Sequence, residues 1–261
     1  MRFDLDRYSY SPAWKEVGGE GPCEMLGSVR NQECPLPGGL DFRWADLGEL
    51  DPAASRLRHQ VFVNELSWIS DSGGETDRDE IDERSVGFSL WDAGELVAYL
   101  RLTPAPGPFM IDRFFPHLCL RTGVPRGSDV AEISRLCVAR DRRDYRVPTP
   151  VGDVSQSLLL YRELFAWCRL RKVRYLYFVT TTRVSRLLRL QGFPLSVLER
   201  FGEGRVDDQN LCLLDWNLFA SKSFGLGAVL ANWFRQREEQ GISIPSSKSS
   251  EYSDRDSLVL N

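Results

Sequence analysis

Hydrophobic and polar positions along this chain follow two periods, and the changes from one to the other mark its elements. Asp51 or Ser55 stands as a cap ahead of a helix running through Arg58, Phe62 and Leu66 at helical spacing. Residues 71–85, DSGGETDRDEIDERS, show no apolar period and read as an acidic loop. VGFSLW (86–91) and ELVAYLRLT (95–103) are strand-like and flank Asp92-Ala93-Gly94, a hairpin turn. AEISRLCV (131–138) is a further strand. VSQSLLLYRELFAWCRL (154–170) sets Leu158, Tyr161, Leu164, Phe165 and Cys168 on one helical face, and the β-rich VRYLYFVTT (173–181) follows directly. SRLLRLQGF (185–193) reads as a helix ended by Gly192, with strands near 195–201 and 209–216 after it. A last amphipathic helix carries Phe224, Val229, Leu230, Trp233 and Phe234.

The order helix, hairpin, strand, helix, strand, helix, strands predicts a single-domain α/β fold, a mixed sheet with helices on its faces. Its expected bounds are 40–216. An irregular Gly- and Pro-rich extension occupies 1–39, the amphipathic helix 217–241, and a polar, Ser-rich tail, expected to be disordered, 242–261. With 261 residues, 42% of them hydrophobic, the chain can bury a core without disulfide or metal staples. No apolar run reaches the length of a membrane span, and MRFDLDRYSYSP lacks the apolar stretch of a secretory signal, so a cytoplasmic protein is expected. Six scattered cysteines without a C-x-x-C pair, and two histidines, offer neither a metal cluster nor a disulfide framework. Cys119, Cys137, Cys168 and Cys212 sit among apolar neighbours and read as reduced core thiols.

The residues most expensive to bury lie on the strand 131–138. Alternation puts Glu132 and Ser134 on one face and Arg135 on the other, within a strand that Ile133, Leu136, Cys137 and Val138 mark as buried. Charges there are either paired or line a cavity. One reading is a structural ion pair. The other makes Glu132 a general base and Ser134 a hydrogen-bonding hydroxyl beside a ligand. Taken alone, Asp79 and Asp82 are a solvated turn or half of a cluster against a cation, and Arg58, Phe62 and Trp68 are one surface charge with two core aromatics.

Together these residues carry more than each alone. In order the chain reads Leu57-Arg58-x-x-x-Phe62, Trp68, Asp79-x-x-Asp82, Arg101-Leu102-x-Pro104, Gly107-Pro108-Phe109-Met110, Phe115-Pro116-x-Leu118 and Glu132-x-Ser134-Arg135. Over residues 45–200 this resembles the acyl-homoserine-lactone synthases, the autoinducer synthases of bacterial quorum sensing. The resemblance implies an acetyltransferase-like fold on a split, mixed β-sheet. It implies acyl transfer from acyl carrier protein, or from acyl-CoA, to S-adenosylmethionine, then lactone closure with loss of methylthioadenosine. S-adenosylmethionine is then a substrate, and neither cofactor nor metal is implied. By position, Arg58, Phe62 and Trp68 would come from a lid over S-adenosylmethionine, and Asp79, Asp82, Arg101 and Arg135 would complete its site. Glu132 and Ser134 would be catalytic, and Phe109, Val179, Thr180 and Thr181 would line the acyl pocket. Glu65 stands where the family usually has a basic or amide residue, and Ile81 where it usually has an aromatic.

Coenzyme A acetyltransferases usually cradle a pyrophosphate with a glycine-rich turn, whereas the corresponding ARDRRDYRVPTPVGD holds only Gly152. Between Arg135 and Arg189 thirteen basic residues stand against four acidic ones, a net +9 in a chain of net charge −4. Arg142, Arg143, Arg171, Lys172 and Arg174 are therefore candidates for docking an acidic carrier protein, the alternative being solvated faces. No nucleic-acid motif accompanies them. Two other functions fit parts of the pattern: a related acyltransferase making another N-acyl amino acid, and a non-catalytic acyl-carrier-binding module.

Overall fold

The computed structural model describes residues 34–45, 48–70, 73–116, 126–202 and 208–240. A short edge strand, β1 (Cys34–Pro35), pairs with β2 (Leu40–Ala45), whose Leu40, Phe42 and Trp44 alternate inward. Residues 34–39 thus belong to the fold, not to a loose arm. Asp51 caps α1 (Pro52–His59) by accepting from the Ala53 N–H at 2.7 Å. The helix continues as a π-helical turn, Gln60–Glu65. The acidic loop contains a 3₁₀ turn, Glu80–Arg84, closed by a capping box between Asp79 and Asp82.

The predicted hairpin forms β3 (Val86–Asp92) and β4 (Glu95–Pro104). Its two turn residues, Ala93 and Gly94, both have positive φ, which matches the twist of the strands they join. A short helix, α2 (Met110–Phe114), precedes β5 (Val130–Val138). Then come a small ribbon of β6 (Arg146–Val147) and β7 (Val154–Ser155), and α3 (Gln156–Leu170), capped by Ser155. β8 (Tyr175–Thr181) leads into α4 (Thr182–Leu190), β9 (Leu195–Phe201), β10 (Gln209–Asp215), α5 (Trp216–Ala220) and α6 (Leu226–Glu239).

Among the described residues, eight strands form one sheet in the order β1-β2-β3-β4-β5-β8-β10-β9. Every neighbouring pair is antiparallel except β5 and β8, which α3 joins as a parallel crossover. One face packs under α3 and the C-terminal helices, with Phe165, Phe193, Trp216, Phe219 and Phe234 in mutual edge and stacked contact. The C-terminal helix is part of this core: Arg237 donates to both oxygens of buried Glu163 on α3, at 2.9 and 2.7 Å. Gly192 ends α4 with a positive φ, and a Cβ there would stand 2.5 Å from the Gly227 Cα. Phe224, expected on the last helix, precedes it and is 87% exposed. Cys137, Cys168 and Cys212 are buried free thiols, while Cys119 and the tail from 242 lie outside the described residues. Among those residues no helix is long and apolar enough to cross a membrane.

Candidate active site

The site grows out of the parallel pair. β5 and β8 are joined only from Val130–Glu132 to Tyr175–Tyr177, and beyond that they part. Into the gap opens a cavity of about 310 Å³. β5 lines it with Ile133, Ser134, Arg135 and Leu136, and β8 with Phe178, Val179, Thr180 and Thr181. Phe62, Leu66, Trp68 and Ile69 cover one side, as do Met110, Phe114 and Phe115. Tyr161 of α3 stands on the core side, and Val184 and Gln209 complete the wall.

Two backbone irregularities place the polar wall. Tyr99 pairs with Cys137 and Arg101 with Ser134, so Arg135 and Leu136 sit together opposite Leu100 as a β-bulge. Arg135 takes a φ of 53° there and turns toward the same side as Glu132 and Ser134. This corrects the strict alternation expected from sequence: an inserted residue breaks the period of two. The second irregularity is the π-helical turn after α1. The Trp68 N–H bonds the Phe62 carbonyl at 2.9 Å, and their rings lie 6.1 Å apart.

Behind this wall is a network of three arginines and three aspartates. Arg58, wholly buried, donates from Nη1 and Nη2 to Asp82 at 2.7 and 3.2 Å, and from Nε to Asp77 at 3.1 Å. Arg101, also wholly buried, donates from Nη1 to Asp79 at 2.6 Å and Asp82 at 2.8 Å, and from Nε to the Ser134 hydroxyl at 2.8 Å. Its Nη2 has no partner among the described residues. Arg135 donates from Nε to Asp77 at 2.7 Å and from Nη2 to Asp79 at 3.1 Å, while its guanidinium lies 5.6 Å from the Phe62 ring centroid. Among the described residues its Nη1 meets only the Met110 thioether, a weak acceptor, at 3.3 Å. Burial pushes the Asp77 carboxyl up, but the Arg135 and Arg58 guanidiniums outweigh it and hold it at about 2. Asp82 is lowered by the same contest, against Arg58 and Arg101. The acids in turn raise Arg58 and Arg101 above the ordinary guanidinium value despite their burial.

Glu132 is fully buried and is not among the residues that line the cavity. Its carboxylate accepts the Met110 N–H at 2.5 Å and the Ile111 N–H at 2.9 Å, which tethers the start of α2 to β5. Burial, partly offset by those two N–H groups, pushes its pKa up to about 7. As placed, it stands next to the cavity wall and not in it, whereas it was expected as a base beside the ligand.

Of the other expected residues, Phe62, Trp68, Ser134, Arg135, Val179, Thr180 and Thr181 line the cavity. Arg58, Asp79, Asp82 and Arg101 are brought together with them as its polar support. Phe109 does not line it: the side chain is fully buried beneath the Arg126 guanidinium, 4.1 Å away, in a cluster with Tyr177 and Leu211. The basic candidates are largely engaged. Arg142 pairs with Asp92 at 2.7 Å, Arg143 with Glu65 at 2.7 Å and Arg174 with Asp215 at 2.8 Å. Arg171 lies over the Trp167 ring, and Lys172 is exposed. The unusual Glu65 thus has a local cation. Sequence reading missed Asp77, Met110, Tyr161 and Gln209. Asp77 had a signal, since Asp77-x-x-Glu80 repeats the acidic spacing of Asp79-x-x-Asp82 two positions earlier.

A profile described as autoinducer synthase matches residues 49–215. The chain is 29% identical over 168 residues to an acyl-homoserine-lactone synthase of Aeromonas salmonicida, covering 64% of this chain and 76% of that protein. It superposes on the crystal structure of the AHL synthase LasI with a TM-score of 0.58 at 19% identity, over 68% of this chain and 90% of that one. The CoA-dependent acyl-homoserine lactone synthase BjaI, solved with SAM and isopentyl-CoA, gives 0.55 at 23% identity, over 70% and 81%.

Proposed function

Because the chain belongs to the autoinducer synthase family, we propose that it makes N-acyl-homoserine lactone from S-adenosylmethionine and an acyl thioester, releasing methylthioadenosine. One observation carries this reading at the residue level: a single cavity has Arg135 and an acid–arginine network on one flank and apolar side chains on the other. A charged amino acid and a fatty chain are the two halves of such a substrate pair.

S-adenosylmethionine carries a sulfonium, an ammonium and a carboxylate. The Arg135 Nη1, with only a thioether against it, suits the carboxylate. Asp79 keeps 12% side-chain exposure against 5% for Asp77 and 1% for Asp82, so it is the acid of the network able to meet the ammonium. The Trp68 and Phe62 rings suit the sulfonium. A free α-amine has a pKa near about 8, so about one molecule in ten is neutral at pH 7 and can attack without a dedicated base. The nitrogen attacks the thioester carbonyl, the C–S bond breaks, and the thiol leaves with the amine proton. The Ser134 oxygen already accepts from Arg101, so its own O–H is free to donate to the oxyanion. The methionyl carboxylate then attacks its own γ-carbon, and the C–S⁺ bond breaks to give the lactone and a neutral thioether. Glu132 serves by holding Met110 and Ile111, and through them the wall. The donor is read as a carrier-bound thioester, docked by Arg142, Arg143, Arg171, Lys172 and Arg174, of which Arg143 and Lys172 are exposed. A cytoplasmic location accords with both substrates.

The test is to supply the purified protein with S-adenosylmethionine and acyl donors, and to identify products by mass. Lactone with methylthioadenosine is expected. An open-chain acyl amino acid would make it the related acyltransferase, and donor binding without thiol release would make it a non-catalytic module.

A further inference from the structure

Behind the main cavity lies a second, apolar space of about 10 Å³. Ile133, Tyr161 and Phe178 line both spaces, and Leu188, Phe193 and Leu214 close the rear one. It is at the lower limit of what one water occupies and offers no set of polar partners to hold one. Two of the shared residues belong to strands and are fixed by sheet pairing. Tyr161 alone comes from α3, and nothing but packing fixes its ring: it meets Phe193 edge-on at 5.9 Å. Its hydroxyl has no hydrogen-bond partner among the described residues, and burial alone raises its pKa. Tyr161 is half-buried, with part of its surface open to the main cavity.

We propose that the Tyr161 ring is the partition that ends the acyl tunnel and sets the longest straight-chain acyl group the enzyme accepts. This rests on the reading of the cavity as the acyl site. The tail enters between the parted strands, passes Val179 and Thr180, and stops against the phenol; removing the phenol joins the rear space to the tunnel. The ring acts, not the hydroxyl.

Two series test it on the full-length protein. Binding of saturated acyl-pantetheine thioesters from four to fourteen carbons is followed by calorimetry, and lactone product is measured in parallel. In the wild type both fall off sharply beyond one length. Tyr161→Ala, and Tyr161→Leu as the milder variant, are expected to raise binding and kcat/KM at least tenfold for donors two to four carbons beyond that limit, while Tyr161→Phe keeps the wild-type limit. An unchanged limit in the Ala and Leu variants overturns the proposal, as does a limit that moves in the Phe variant. A wild type that binds the thioesters yet makes no lactone overturns the proposed reaction instead, and the binding series still decides the role of Tyr161.

Discussion

Replacing Glu132 by Gln separates two roles for this carboxyl. The ionised group presents an oxygen to each of two buried N–H donors, those of Met110 and Ile111. A glutamine has one acceptor oxygen, so its NH₂ opposes the second donor, much as the protonated acid does. The loss is one charge-assisted hydrogen bond, about 1.5–3 kcal/mol. Against it stands the burial of a carboxylate. The Glu132 pKa rises from 4.5 to about 7 on folding, so the native state holds the proton more tightly. The stability this gives is fully present below about pH 4.5 and is lost as pH rises through 7. With 1.36 kcal/mol per unit, the lost amount is about 3 kcal/mol. Urea unfolding of both proteins at pH 4.5, 6, 7 and 8 is expected to show E132Q gaining about 3 kcal/mol relative to wild type across that range. In kinetics at pH 8, a tether on Met110 predicts a raised KM for the acyl donor with kcat altered little, and a variant KM indifferent to pH. A drop in kcat of about 10²–10⁴ at constant KM would identify Glu132 as the base and refute the tether.

Arg58→Ala leaves Asp77 and Asp82 short of a buried partner and is expected to cost about 3–5 kcal/mol in urea unfolding; an unchanged midpoint would mean the network contributes nothing. Asp77, held at about 2, contributes about 2 kcal/mol of stability that is present above about pH 4 and lost as pH falls through 2, so thermal scans should show D77N flatter than wild type over that interval. Arg135→Lys keeps the charge but loses the fork that holds Asp77 and Asp79, and should raise KM for S-adenosylmethionine about tenfold or more with little effect on KM for the acyl donor. Lys172→Glu should raise KM for a carrier-bound donor and weaken its salt dependence while leaving KM for S-adenosylmethionine unchanged.

What the sequence disclosed here, and what it withheld, follows from the range of each interaction. The α3 helix and the β3–β4 hairpin were legible because their periods and turn chemistry are local. β2 was overlooked although Leu40, Phe42 and Trp44 alternate, since a single short strand beside a Gly-rich segment gives few repeats. The residues of the site were legible as a set through family resemblance, yet their geometry was not. Whether Arg135 shares a face with Ser134 depends on one inserted residue with positive φ, and no pattern of side chains announces that bulge. The same bulge explains the function of the wall. Without it Arg135 would point into the aromatic core under α3, an unpaired buried cation costing several kcal/mol. With it, the guanidinium reaches Asp77 and Asp79 and still presents Nη1 to the cavity. The divergence of β5 from β8 begins just before this point, after Glu132. Strand separation opens the space, the bulge turns a charge into it, and Glu132 at the last paired position ties down the helix that closes it. Three successive features of one strand therefore assemble the site, and a deletion at 135 restoring regular alternation should leave a foldable sheet without a substrate-binding wall.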